Sequence, residues 1–358
     1  MTKATQDPTA GMTPPKSADS IRVLLSVKPP GPRDNPYATL LFRSLNALDG
    51  VDVNFFSWRE ALFGRYDVFH VQWPEAIVRA RTRTRSAVAQ LLTTALLIRL
   101  RLKRRSKHDP VIVRTVHNLH PHEPGTWLET KLLHQLDVTT DWWITLNRHS
   151  NVPIDARQAL IPHGHYRDWY TIPDNVSSLS SKTVLYFGLI RSYKGVDVLV
   201  RAFSEVPASS EMRLAILGDP GQSDQDQSLL RAISAHERIS ADLRHIPDDQ
   251  LIEAISNAEL IVLPYRKLHN SGAILLALSC STPVLVPDNA VTRDLRDEFG
   301  YEWIITYEGD LEAHDLERAY AIASASGRSG TADLSGRAWA GTATDHREVY
   351  RAALGLQQ

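Results

Sequence analysis

"TVLYFGLIRSYKGVDVLVRAF", residues 183–203, decides the fold. An apolar run ends at Gly188, and apolar residues then recur at helical spacing, predicting a strand over "TVLYFGL" and a helix over 195–205. Between them stand Arg191, Lys194 and Gly195. A buried strand that turns through glycine into a helix is the opening unit of an α/β domain. Such a turn also gathers backbone N–H groups, the positive end of a helix and two cations, which suits an anion. Taken alone, the same turn is equally a solvated loop with exposed charges.

Working outward, strand patterns recur. The second half continues with "RLAILGD", "DLRHIP", "LIVLPY" and "PVLVPD", separated by helical patterns over 225–236, 248–257 and 271–280. The first half holds "IRVLLSV", "VDVNFFSW", "YDVFHVQW", "VIVRTVHN" and "DWWITLN", with helix-length segments among most of them. "NPYATLLFRSLNAL" (35–48) sets Leu40, Leu41, Leu45 and Leu48 on one helical face. Alternating strands and helices predict α/β domains, each a parallel sheet covered by helices on both faces.

The chain has 358 residues, enough for about two domains of roughly 150 residues each. The predicted organisation is a disordered tail over 1–19, a Rossmann-like domain over 20–167, a linker over 168–181, a second Rossmann-like domain over 182–335, and a C-terminal helix over 336–358. "IPHGHYRDWYTIPDNVSSLSSK" (161–182) has the Pro, Gly and Ser content of a hinge. Forty basic residues against 41 acidic ones leave no global field to draw the protein onto nucleic acid. The lone Cys280 excludes an internal disulfide, and the N-terminus lacks the apolar core of a signal peptide. A cytoplasmic location is expected.

One segment departs from this balance. Residues 79–107 carry ten Lys or Arg and no acid, around an uncharged stretch from Ser86 to Ile98. That stretch is shorter than the roughly 20 residues a spanning helix needs. It fits either a helix lying on an anionic membrane surface or a core-facing helix with solvated basic ends. Nucleic acid is disfavoured, because no aromatics are interleaved with the cations.

A second candidate anion site lies at Asn270, Ser271 and Gly272, where "NSGAILLALS" opens an apolar helix with a capping residue and a glycine. Two such sites in one domain could grip a diphosphate. An ordinary capped core helix would show the same residues.

The order "FGLIRSYKGVDVLVRAF", "RLAILGDP", "HIPDDQLIEAISNAELIVLPYR", "NSGAILLALSCSTPVLVPD" resembles the C-terminal domain of nucleotide-sugar glycosyltransferases of the GT-B architecture. In the first half, "YDVFHVQWPE", "TVHNLHPHE" and "LIPHGHY" resemble segments of bacterial transferases that build surface polysaccharides and mannose-containing glycolipids. "AWAGTATDHREVYRAAL" is similar to that superfamily's terminal helix, which crosses back to the first domain. The resemblance runs from about Ile21 to the C-terminus and rests on the shared order of loose motifs.

It implies two facing Rossmann-like domains with the active site between them, and transfer of a hexose from a nucleoside diphosphate sugar to a glycan or lipid-linked glycan. GDP-mannose is the first expected donor, and no metal or other cofactor is implied. Arg191 and Lys194 match the cations on the donor diphosphate, Gly188 gives the backbone clearance, and Asn270, Ser271 and Gly272 face the same phosphates. Tyr265 and Arg266 match the nucleoside position. Many retaining members carry a spaced pair of glutamates where this chain has Leu268 and Leu276, so an inverting transfer is expected.

Inversion needs a base near the acceptor hydroxyl. Glu123 and His117 in "TVHNLHPHE" are the first candidates, ahead of His120 and His122, with His70 and Glu75 behind them. His117 stands where the strand "VIVRTV" ends. A zinc site on His117, His120 and His122 lacks an established ligand spacing. Trp142 and Trp143 are adjacent in a strand, so they face opposite sides and one belongs to a core. Two other functions fit the lost glutamates or the architecture: a non-catalytic nucleotide-sugar scaffold, and a sugar-nucleotide epimerase. A membrane contact through 79–107 would make the enzyme peripheral on the inner face of the membrane.

Overall fold

The computed structural model describes residues 20–29, 31, 35–80, 82–103, 110–117, 125–173, 182–220, 227–266, 270, 272–325 and 330–356. The tail over 1–19 and most of the expected linker lie outside them. The chain forms two compact units, one of residues up to Gly164 together with Arg337–Gln358, the other of His165–Gly336.

In order, the first unit contains β1 (Ile21–Leu25), α1 (Tyr37–Ala47), β2 (Val51–Asn54), α2 (Trp58–Phe63), β3 (Val68–Val71), α3 (Glu75–Val78) and α4 (Arg83–Lys103). It continues with β4 (Val111–Val116), α5 (Trp127–Thr139), β5 (Trp142–Thr145) and β6 (Gln158–Leu160). The strands form a parallel six-stranded sheet in the order β2-β1-β3-β4-β5-β6. The chain reverses its direction of growth between β1 and β3, and loops at such a switch point line a ligand crevice. β3 is buried along its whole length. On one side of the sheet, Phe69, Ile112, Leu96, Leu100 and Leu136 form a core shared by β3, β4, α4 and α5. Trp143 belongs to the interior while Trp142 is only half-buried, as opposite-facing neighbours must be.

The second unit runs β7 (Thr183–Phe187), α6 (Val196–Ser204), β8 (Arg213–Leu217), α7 (Gln227–Ser234), β9 (Ile239–Asp242) and α8 (Asp248–Asn257). Then come β10 (Leu260–Val262), α9 (Gly272–Ser279), β11 (Val284–Pro287), α10 (Ala290–Phe299), β12 (Ile304–Tyr307) and α11 (Ala313–Ala325). Its sheet is also parallel and six-stranded, ordered β12-β11-β10-β7-β8-β9. Here the switch point lies between β7 and β10. The loop quoted at the outset leaves β7, and the loop carrying Tyr265 leaves β10.

The final helix, α12 (Trp339–Ala353), belongs to the first unit and packs on α1. Trp339, His346 and Tyr350 are buried there. In the second unit, Arg167 binds the C-terminal end of α9, donating to the carbonyl of Ser279 (3.2 Å), and also donates to the carbonyl of Ala332 (2.9 Å). A cation at a helix C-terminus complements the exposed carbonyls and the dipole.

Several elements differ from the sequence expectation. β9 is Ile239–Asp242, not "DLRHIP", because Ile239 pairs with Leu214 and Pro247 starts the approach to α8. Proline offers no N–H to a strand ladder, whereas a position just before a helix needs none. α1 ends at Ala47, and Leu48 is its extended C-cap rather than part of the helical face. β6 and β12, both edge strands, had no counterpart in the sequence pattern.

Candidate active site

In the second unit, Gly188 (φ 116°) turns the chain out of β7, and Gly195 (φ 67°) turns it into α6. Both angles favour glycine, and at Gly195 a Cβ would lie 2.1 Å from the Pro264 carbonyl oxygen. The loop therefore presses directly on the chain leaving β10. Lys194 Nζ lies 4.8 Å from the Tyr265 ring centroid and 3.3 Å from its hydroxyl. Burial, with repulsion from Arg191, pushes the Lys194 ammonium down to about 8. Tyr265 is buried beneath it, and burial raises its phenol far above the ordinary value. Arg191 donates Nη1 to the carbonyls of Ile190 (3.0 Å) and Pro220 (2.7 Å). Gly188, Arg191, Lys194 and Tyr265 thus come together at the switch point.

Arg266 turns elsewhere. Its guanidinium pairs with Asp197 of α6 (2.6 Å) and donates to the Ser192 carbonyl (3.0 Å), bracing the loop from outside. Tyr265 likewise supports Lys194 instead of offering an open face to a base. Gly272 begins α9, preceded by half-buried Asn270. Ser271 and Leu268 lie outside the described residues, while Leu276 is buried in α9.

The first unit gathers a polar aromatic cluster at the C-terminal ends of β3 and β4. His117 Nε2 lies 2.7 Å from Gln72 Oε1, and Gln72 Nε2 lies 2.9 Å from His70 Nε2. His70 continues to Thr115 Oγ1 (2.8 Å) and, through Nδ1, to the Tyr350 hydroxyl of α12 (2.7 Å). The His117 ring stacks on Trp73 at 4.2 Å and meets the edge of Tyr37 at 5.0 Å. Tyr37 also touches His163 (4.7 Å) and Trp339 (5.4 Å).

These histidines are held neutral. Burial pushes His117 down to about 3, with His163, His346 and Arg114 adding repulsion. It pushes His163 and His346 each to about 4 and lowers His70 well below its ordinary value. His70, wholly enclosed and bonded on both nitrogens, is a core residue, so its place among the candidate bases is corrected. Glu75 starts α3. Glu123, His120 and His122 lie outside the described residues. Among the described residues, no group of three or more His, Cys, Asp or Glu could hold a metal ion. Gln72, Tyr37, His163 and Tyr350 were not singled out in the sequence, and only the closeness of Gln72 to His70 and Trp73 in "HVQW" hinted at a shared loop.

The basic segment forms α4, with Leu96, Leu97 and Leu100 in the core. Its outward face is apolar too: Val88 is 57%, Leu91 70% and Ile98 52% exposed. Among the ten cations, Arg101 donates to Gln135 of α5. Arg79 pairs with Glu129. Arg99 turns inward to the carbonyls of Ala61 and Gly64 at the end of α2. Arg83 and Arg85 are exposed beside the apolar face, and Arg81, Arg104, Arg105 and Lys107 lie outside the described residues. Among the described residues, no helix is long and apolar enough to cross a membrane.

Comparison with known proteins places this geometry. The family described as Glycosyl transferases group 1 matches residues 181–316, from just before β7 into α11. A GDP-mannose:glycolipid 4-beta-D-mannosyltransferase of Xanthomonas campestris pv. campestris is 38% identical over 339 residues, covering 95% of this chain and 94% of that protein. Sucrose-phosphate synthase from Thermosynechococcus elongatus shares the fold with a TM-score of 0.62 at 16% identity, over 94% of this chain and 100% of that one. Anabaena HepE in complex with UDP gives 0.61 at 13%, over 93% and 100%.

Proposed function

The chain belongs to the group 1 glycosyltransferases, and on that premise we propose that it transfers mannose from GDP-mannose to a lipid-linked glycan, with inversion. The observation that carries this is the 38% identity, over 95% of the chain, to a transferase named for GDP-mannose, a glycolipid and a β-linked product. GDP-mannose carries its sugar in α linkage, so a β product requires inversion. The buried Leu276, standing where a retaining relative often has a glutamate, agrees.

Lys194 and Arg191 receive the donor diphosphate, with Gly188 leaving room and Asn270, Ser271 and Gly272 offering the start of α9. Negative charge grows on the departing GDP, and cations fixed in advance stabilise it more in the transition state than in the bound donor. No step asks for a metal. Tyr265 positions Lys194, and Arg266 secures the loop; a direct nucleoside contact for either is secondary.

On the acceptor side, Glu123 takes the hydroxyl proton. The low proton affinity of His117 makes it a poor final base but a good neutral acceptor for orienting that hydroxyl. A glycolipid acceptor lies in a membrane, and the outward face of α4 supplies Val88, Leu91 and Ile98 beside Arg83 and Arg85. That combination suits an anionic lipid surface at the cytoplasmic face.

Incubation with GDP-mannose, UDP-glucose or dTDP-sugars and a lipid-linked glycan extract, followed by proton NMR of the product, tests the proposal. A β-mannoside from GDP-mannose alone is expected. An α product, or transfer only from another nucleotide, overturns it; bound donor without turnover points to a scaffold, and an altered donor sugar to an epimerase.

A further inference from the structure

We propose that Lys194 is a modification site, at which an acyl phosphate seats its phosphate in the turn after β7 and transfers its acyl group to the Lys194 amine. The proposal rests on the anion site argued above and gives that site a way to be switched off.

The surroundings of this amine differ from those of the other described lysines. Lys194 is half-buried, with Nζ 3.3 Å from the Tyr265 hydroxyl and 4.8 Å from the centre of its ring. Burial keeps that phenol protonated, so it sets no opposing charge against the ammonium. Among the described residues no carboxylate pairs with Lys194, and the charge that acts on it is the like charge of Arg191. Lys182, by contrast, is paired with Glu211 at 2.7 Å, and Lys131 lies over the ring of Trp127. Gly188 stands beside Nζ without a side chain; a Cβ there would lie 3.4 Å from it, so the glycine leaves this approach open. Arg191 is held through Nη1 by the carbonyls of Ile190 and Pro220, and among the described residues its Nε and Nη2 are not engaged. Those two nitrogens present the fork that a phosphate accepts.

The chemistry needs a neutral amine next to a bound acyl phosphate. In this desolvated place the ammonium gives up its proton at about pH 8, whereas a lysine in water is neutral there in roughly one part in 250. Neutral Nζ attacks the carbonyl carbon of the acyl phosphate. The bond from that carbon to the bridging oxygen breaks, phosphate leaves with the electron pair, and the proton lost from Nζ goes to the leaving phosphate. One amine and one acyl phosphate thus become an amide and hydrogen phosphate. The amide is uncharged, so the acylated turn keeps Arg191 and loses the second of the two cations assigned to the donor diphosphate.

The test treats the full-length protein with acetyl phosphate between about pH 7 and 9.5 and follows acetylation of each lysine by mass spectrometry. At pH 8, Lys194 should be acetylated about tenfold or more faster than Lys182 or Lys131. Its rate should level off above about pH 8, saturate with acetyl phosphate and fall when inorganic pyrophosphate is added. Arg191→Met should abolish the saturation and the block by pyrophosphate, and a neutral acetyl ester should show neither in the wild type. Acetylated protein should bind GDP about tenfold or more weakly. Acetylation of Lys194 no faster than that of Lys182 overturns the proposal. So does a reaction with acetyl phosphate that pyrophosphate leaves untouched, since no phosphate would then be seated in the turn. Protection by pyrophosphate but not by GDP supports the modification site, and it is then the donor assignment under the proposed function that fails.

Discussion

Lys194 rests its ammonium 4.8 Å from the centre of the buried Tyr265 ring and, in the free protein, holds its proton only up to about pH 8. A diphosphate beside it would favour the charged form and raise that value. Donor binding should then take up a proton above pH 8. Affinity for GDP should be flat below about pH 8 and fall by up to about tenfold per unit above it. Calorimetry in buffers of different ionisation enthalpy reads the uptake directly. Constant affinity across that range would remove Lys194 from the phosphates.

Arg191→Ala and Lys194→Ala should each weaken GDP binding tenfold or more, since charge-assisted hydrogen bonds are worth roughly 1.5 to 3 kcal/mol. Guanosine affinity should barely change. Equal losses for nucleoside and diphosphate would argue against the assignment.

Gly195→Ala combines a left-handed backbone (φ 67°) with a Cβ placed 2.1 Å from the Pro264 carbonyl oxygen. Gly50→Ala has a similar angle (φ 78°) and nothing within 4 Å, so it measures the backbone cost alone, about 1 to 2 kcal/mol. Gly195→Ala should lose clearly more stability in chemical denaturation and also weaken GDP binding. Equal destabilisation would mean that the loop yields without cost.

Acid should destabilise the first unit. His163 and His346 titrate near 4 when folded and near their ordinary 6.5 when unfolded. Between those values the unfolded chain binds more protons, so stability is full above about pH 6.5 and is lost as pH falls toward 4. Fluorescence of Trp73 and Trp339, which pack around Tyr37, should report the loss. His346→Gln should flatten the dependence, and an unchanged slope would count against buried neutral imidazoles as its origin.

Glu123→Gln should cut turnover by about 10² to 10⁴ while donor affinity holds within a few fold. His117→Ala should cost less, because a weak base that orients a hydroxyl does less than the group that takes its proton. Full activity in Glu123→Gln would leave the proton without its proposed acceptor.

The strand-glycine-cation-glycine-helix unit was legible because each part has a local cause: an apolar run, positive-φ turns and a helical face. The paired sheets followed from its repetition. β6 was not legible, since a three-residue edge strand with exposed ends carries little of the burial that marks a sequence as a strand; β12 is buried but only four residues long, too short for its pattern to stand out. The hydrogen-bonded contacts around Gln72 were hidden for another reason. His70 and Tyr350 are far apart in the chain, and nothing local in either predicts the bond between them. The same holds for Arg266, whose pairing with Asp197 depends on how two loops cross.

The second unit is a single uninterrupted stretch, whereas the first closes only when Arg337–Gln358 joins it. On a ribosome, Gly164 and Tyr350 are made roughly 10 to 40 s apart at about 5 to 20 residues per second. Throughout that interval His70 lacks its phenol partner and the α1 surface lacks α12. The second unit can finish folding within the same interval. The order of completion is thus the reverse of the order of synthesis, and the nascent first unit must keep an aromatic, histidine-lined surface from aggregating until its own last helix arrives.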